Sequence, residues 1–223
     1  MADSIKIGNL DISSFKVGSD DCKVYLGDTL LYPTTPPTPP TPSYKWLATY
    51  SGGTTSSAEC DSSSEIVRDE INGTNLVSVE IGDCVTIIGD SAFDSCTSLT
   101  SIDISNSVTS IGDWAFRDCT SLTSCTIGSG LTSIGQAAFV RCTSLTSIEI
   151  PSGVTSIGDY AFTYCTSLTS VTVNATTPPS LGFIVFDETN NCPIYVPSEL
   201  VDVYKTDTNW SYYASKIQAI PNS

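Results

Sequence analysis

The string Ile-Gly-Asp-x-Ala-Phe begins at Ile88, Ile111 and Ile157, and as Ile-Gly-Gln-Ala-Ala-Phe at Ile134, so it returns every 23 residues. The same interval links Phe93, Phe116, Phe139 and Phe162, then Cys96, Cys119, Cys142 and Cys165, then Leu99, Leu122, Leu145 and Leu168. An earlier partial copy is Leu76-Val-Ser-Val-Glu-Ile81. A degenerate last one runs through Leu181-Gly182 and Phe186 to Ile194-Tyr-Val196. A fixed period of this length excludes most globular folds, because no copy can bury its apolar edge alone and each must lean on the next. Residues 76–197 are therefore predicted to form a repeat solenoid.

Within one copy, Ile102 and Ile104 alternate with Ser101 and Asp103, the period of a strand with one buried face. Val108 and Ile111 make a second short apolar step, and Gly112 is expected to supply a turn. Asp113 to Cys119 fits one tight helical turn, with Asp113 placed to cap its first amides. Stacking sets equivalent strands parallel at about 4.8 Å and turns the Phe, Leu and Ile positions into continuous ladders. The expected fold class is a mostly β solenoid with short helical turns.

These fixed positions resemble the BspA-type leucine-rich repeat of bacterial surface proteins, across just over half of the chain. The pattern departs where Pro151 has Ser105 and Gly128 as equivalents, a difference expected to touch only a loop. The resemblance implies an adhesive or protein-binding role without naming a ligand. The stretch from Pro178 to Ile220 also resembles the C-terminal segments of such proteins.

Solenoid ends need covers. Residues 44–75, with Trp46, Leu47, Tyr50 and Ile66, are expected to be the N-terminal cap. Residues 198–223 are expected to be the C-terminal one, with Ser198 as the N-cap of a short helix and Trp210, Tyr213 and Ile217 sealing the last rung. Residues 33–43 are a Pro/Thr linker favouring polyproline II, about 3.1 Å per residue. Residues 1–32 read as a small β anchor module, with short strands ending at Gly8, Gly18 and Gly27. So small a unit gains stability by docking on a larger assembly or by self-association into a homo-oligomer. Its run from Lys23 to Tyr32 resembles short segments of bacteriophage tail and fibre proteins.

Composition narrows the function. The chain has no histidine and a net charge of −15, and between Leu76 and Pro197 its only cations are Arg117 and Arg141. Nucleic acid is a poor partner for such a surface, and no apolar run is long enough for membrane insertion. No cofactor and no catalytic residue is expected. The first residues lack a basic segment followed by an apolar one, so they do not read as a secretory signal. Of nine cysteines, the four ladder thiols are read as small buried hydrophobes, as is Cys125 at the position of Ile102. Cys22, Cys60, Cys84 and Cys192 stay undetermined. With no Cys-x-x-Cys pair, no zinc site is expected, and the odd count leans away from an oxidising compartment.

Asp90, Asp113 and Asp159 recur at one repeat position. Gln136 interrupts that series, so turn capping is preferred to a calcium ladder and no metal is expected. Asp103 and Glu149 lie two rungs apart, near 9.5 Å by strand spacing, the upper edge for paired glycosidase carboxylates. Nothing nearby in sequence would enclose a substrate. Variation between copies marks the candidate ligand-binding surface instead. One stripe is Glu80, Asp103, Thr126, Glu149 and Thr172 on the outward strand face. The other is Trp114 and Tyr160 with Arg117, Arg141 and Tyr164 beside them, where exposed aromatics suit binding hot spots. The neighbouring Ser and Thr positions are read as structural hydroxyl ladders.

The sequence thus predicts a non-enzymatic adhesion protein whose partner is a protein or glycan on a cell or mucosal surface. A phage virion component is the first context and a bacterial cell-surface or secreted adhesin the second. A glycan-binding or glycan-active protein is the third option.

Overall fold

The computed structural model describes residues 44–221 except 72 and 74. Of the first 43 residues it describes the strand backbone at Lys6–Ile7, Leu10–Asp11, Phe15–Val17, Val24–Leu26 and Thr29–Leu30. The expected linker at 33–43 and Cys22 lie outside the described residues. The chain divides into Met1–Pro42 and Ser43–Ser223. In the first unit, Lys6–Ile7 and Leu10–Asp11 form an antiparallel pair, and the other three strands form an antiparallel sheet.

The second unit is the solenoid. One rung contributes a long strand such as Ser101–Ile104, a corner, a short strand such as Ser110–Ile111, and a turn segment leading to the next rung. Long strands pair in parallel with registers Ser101↔Ser124 and Ser147↔Ser170. Short strands form one continuous parallel sheet of six, from Glu65–Ile66 to Ser180–Leu181. That sheet therefore starts inside the segment read as the N-terminal cap.

The interior is the set of ladders. Phe93, Phe116, Phe139, Phe162 and Phe186 stack with ring centroids 5.1, 5.0, 5.2 and 5.5 Å apart. Leu99, Leu122, Leu145 and Leu168 are fully buried beside them. Each such side chain contributes roughly 1.5–3 kcal/mol through burial. The ladder cysteines have a polar role as well. The thiols of Cys119, Cys142 and Cys165 donate to the carbonyls of Phe93, Phe116 and Phe139 at 3.2, 3.2 and 3.1 Å. Burial pushes Cys119 and Cys142 well above the ordinary thiol range, so each keeps the proton it donates.

Gly112 leads into the turn segment, as expected, and a Cβ there would lie 2.5 Å from Asp90 Oδ1 and 2.7 Å from the Asp90 nitrogen. It is glycine because successive rungs approach closely at that corner.

Asp113–Cys119 is not the helical turn expected. Two consecutive turns close through Arg117 N to Trp114 O (3.0 Å) and Cys119 N to Phe116 O (3.3 Å), with left-handed residues at Trp114 and Asp118. Alternate amides then point along the solenoid. Trp114 donates to Gln136 O at 2.8 Å, Phe116 to Ala138 O at 2.7 Å and Asp118 to Val140 O at 3.0 Å. A helix would turn those amides onto its own axis and forfeit the bonds between rungs. For the same reason Asp113 caps the next rung, accepting from Gln136 N at 2.7 Å, as Asp90 accepts from Asp113 N at 2.8 Å.

Cys60 and Cys84 form a disulfide, against the lean away from an oxidising compartment. It ties the loop after the N-terminal hairpin to the corner of the first full rung. Cys192 is free and buried.

The ends are closed by different devices. The hairpin Tyr44–Tyr50 and Thr55–Glu59 lies antiparallel against Leu76–Ile81, and buried Lys45 reaches Glu70 at 2.8 Å. At the other end Ile217–Ala219 adds a last parallel strand, and Trp210 and Tyr213 close over Phe186. Ser198 opens a 3-10 turn without a side-chain cap bond, ahead of the helix Val201–Thr206.

Candidate ligand-binding surface

Each rung places two residues in the left-handed region, and these are the positions that vary. The first column reads Ser91, Trp114, Ala137 and Tyr160 with φ of 56°, 55°, 51° and 59°. The second reads Ser95, Asp118, Arg141 and Tyr164 with φ of 62°, 56°, 61° and 62°. The conformation is imposed by the turns and the bonds between rungs. A bulky L-residue there costs roughly 1–2 kcal/mol that Gly or Asn would largely avoid. Trp114 and Tyr160 nevertheless stand 37% exposed and Tyr164 47%. They line a cleft of about 260 Å³ with Arg117 and Arg141, whose floor is the buried Ala137. Five of the ten predicted residues are thus brought together on one edge.

Charge on this edge runs as a staircase. Asp94, its side chain 2% exposed, accepts from Arg117 Nε at 2.8 Å and Nη2 at 2.7 Å. It also receives Arg68 at 3.4 Å. Asp118 lies 3.8 Å from both Arg117 and Arg141. Arg117 is consequently held in the structure, while Arg141, 61% exposed, presents most of its guanidinium outward. The pairing was readable in the sequence: Asp94 and Arg117 share one repeat position, and Asp118 and Arg141 share the next.

The second stripe behaves differently. Glu80, Asp103 and Thr126 stand in register on three paired strands, and Glu149 and Thr172 on two more. Glu80 accepts a hydrogen bond from Tyr44 of the capping hairpin, and Glu149 accepts from Asn174 Nδ2 at 2.6 Å. Between Ser124–Ile127 and Ser147–Ile150 the long-strand sheet is split. Pro151 explains one end. At the next junction Asn174 donates its amide to Ile150 O at 3.0 Å, and the equivalent bond to Ile127 would need the N–H that proline lacks. At the other end, Thr123 and Thr169 each bond the preceding rung through both amide and hydroxyl. Thr146 makes neither bond among the described residues. The Phe116 and Phe139 rings are tilted by 16°, against 4° and 5° at the flanking stacks. Pro151 therefore reaches beyond a loop. Cys125 and Ile127 are left half-buried at the floor of a cleft of about 550 Å³ that includes Thr126 and Glu149.

Sequence reasoning missed two exposed aromatics near the far end. Phe183, 62% exposed, packs edge-on against Tyr160 at 5.9 Å, and Tyr212 is 72% exposed. Phe183 stands where other rungs carry Asp or Gln, and its amide still bonds Asp159 Oδ1 at 2.7 Å. A one-residue insertion in the last copy hid that equivalence. The hydroxyl ladders are formed chiefly by threonine: Thr109, Thr132 and Thr155 bond carbonyls one rung back. Among the described residues no group of three or more His, Cys, Asp or Glu side chains is placed to hold a metal ion. No described helix is long and apolar enough to cross a membrane.

The model of the BspA type leucine-rich repeat region matches residues 64–193 in six copies, more than half of the chain. The chain belongs to the BspA-type leucine-rich repeat family. Among solved structures, this BspA-type chain is similar to a leucine-rich repeat protein of T. pallidum. The two are 28% identical with a TM-score of 0.52, over 55% of this chain and 60% of that one. A leucine-rich repeat protein from Bacteroides capillosus is also 28% identical, over 60% of this chain and 95% of that one, with a TM-score of 0.38. A leucine rich cell surface protein from Faecalibacterium prausnitzii is 25% identical over 88% and 55%, with a TM-score of 0.45. The BspA-type chain spans about three fifths of the T. pallidum protein. No curated protein sequence matches it. BspA-type repeats place it among stacked-repeat scaffolds, whose extended surfaces serve binding.

Proposed function

We propose that this chain is a non-catalytic adhesion protein displayed on a bacterial cell surface, and that its aromatic turn edge binds a protein or glycan of a host or mucosal surface. The observation that carries this reading is the presence of Trp114, Tyr160 and Tyr164 at backbone positions that favour Gly or Asn. Large side chains kept at a backbone cost, and left exposed, are explained by what they touch outside the chain. The Cys60–Cys84 bridge supports an exported protein, since such bonds persist outside the reducing cytosol.

The test replaces Trp114, Tyr160 and Tyr164 by Asn, which the left-handed backbone accepts. Adhesion to immobilised mucin or epithelial cells is expected to fall at least about tenfold, while the melting temperature holds or rises. Unchanged adhesion with all three replaced would overturn the assignment.

A second reading places the chain on a phage particle. The chain divides between Pro42 and Ser43, and Lys23 to Tyr32 resemble tail and fibre segments. On that reading, deleting residues 1–32 abolishes association with particles and leaves the solenoid folded. Retained association would exclude it.

A further inference from the structure

Trp114 and Tyr160 occupy the same column two rungs apart, and the residue between them is the smallest of the column's middle members, Ala137. Ring stacks of 5.0 and 5.2 Å mark the rung spacing there, so equivalent points on the two aromatic rungs are about 10 Å apart, close to two strand spacings. A six-membered ring seated between two aromatic faces, with each contact at about 4.5 Å between centroids, needs about 9 Å. The gap over Ala137 therefore has room for one ring. Its rim is polar: the exposed Gln136 amide, the outward Arg141 guanidinium and Asp118. A flat apolar ring would cover the Gln136 amide and the outward side of Arg141 without offering either a partner, which such sites reject strongly. A saturated ring with hydroxyls around its edge satisfies them and presents C–H faces to the two aromatic walls. Arg117 and Arg141 face Asp94 and Asp118, with Arg68 also on Asp94, a small cationic excess inside a chain of net charge −15. A neutral ring fits that field better than an anionic one.

We infer that the slot formed by Trp114, Ala137 and Tyr160 binds a neutral pyranose ring, the terminal or internal sugar of a glycan. The inference rests on the adhesion reading and names the ligand class of that same edge. Trp114 and Tyr160 clamp the two faces of the ring, and Arg141 and Gln136 take its hydroxyls. Phe183, edge-on to Tyr160, braces one wall.

The chain carries its own reporter. Of its three tryptophans, Trp46 and Trp210 are buried and Trp114 alone is exposed. The full chain is titrated with the methyl glycosides of glucose, galactose, mannose and N-acetylglucosamine while tryptophan emission is followed. At least one glycoside is expected to give a saturable change, with a dissociation constant of about 1 mM, ordinary for a single small ring. Ala137→Tyr fills the slot with the side chain that the same position carries one rung on, at nearly the same φ, so the fold tolerates it. It is expected to abolish the response, and Gln136→Ala and Arg141→Ala to weaken it about tenfold. A chain that melts as wild type but gives no saturable response to any of the four overturns the inference, as does a response that survives Ala137→Tyr. Loss of adhesion in the Asn variants without glycoside binding leaves the adhesion reading standing and removes the sugar. Glycoside binding in a chain whose Asn variants adhere normally does the reverse.

Discussion

Single residues in this protein answer to their counterparts one rung away. Phe139 has no exposed surface and stacks on rings at 5.0 and 5.2 Å on its two sides. Phe139→Ala is expected to cost about 4 kcal/mol, read from denaturant midpoints with the slope unchanged. Phe183→Ala, from a 62% exposed position, should stay within about 0.5 kcal/mol of wild type. Tyr44 offers a titration. Its hydrogen bond to Glu80 is the main cause that raises the phenol from 10.0 to about 12, with burial second. The folded state thus favours the neutral phenol. That contribution is whole below pH 10 and is lost as pH climbs through about 12. Burial holds Tyr204 and Tyr213 up as well, so ultraviolet difference spectra should show several late phenolates, of which Glu80→Gln should bring one late step, that of Tyr44, back toward the ordinary range. A wild-type spectrum without that late step would refute the assignment.

At the scale of elements, the split between Ser124–Ile127 and Ser147–Ile150 is the weakest seam of the long-strand face. Backbone amides of Ser147 and Glu149 should exchange with solvent faster than those of Ser124 and Thr126, because the latter are held in a continuous ladder. Pro151→Asn combined with Cys125→Ile restores the residue types of neighbouring rungs. It should protect these amides and add roughly 1 kcal/mol. Exchange that is uniform across the strands would refute the seam. The Cys60–Cys84 bridge closes a loop of sequence separation 24, a length for which constraint of the unfolded chain contributes about 3 kcal/mol. Reductant should lower the unfolding midpoint of wild type and leave Cys60→Ser/Cys84→Ser unaffected. An equal response in both would refute the bridge's contribution to stability.

The solenoid unit is close to one-dimensional: each rung meets only its neighbours, so its two ends decide whether the array survives in water. Trp210, Tyr213 and Ile217 cover the last Phe and the last strand. Truncation after Pro197 uncovers both and should convert a monodisperse, cooperatively melting chain into an aggregating one by light scattering. A soluble, cooperative truncation product would show that the final helix and strand are dispensable. The net charge of −15 opposes such association in the intact chain by mutual repulsion.

Period, strand faces, the Phe column and the edge bearing Trp114 and Tyr160 were all legible in the sequence, because identical residues at a fixed interval leave one way to bury them. The Asp94–Arg117 pairing was legible too, once opposite charges at one repeat position are taken as neighbours. What only the tertiary structure decided depends on the direction of backbone bonds. The amides of Trp114, Phe116 and Asp118 point to the next rung, which replaces a helical turn by left-handed corners and puts Asp113 to work on its neighbour. The same directional demand makes Pro151 open a sheet that residue spacing alone would leave intact. The Cys60–Cys84 bond also falls outside the repeat's arithmetic, since the capping loop, not the period, brings those two sulfurs together. A one-dimensional pattern records which side chains are alike. It does not record where each N–H points.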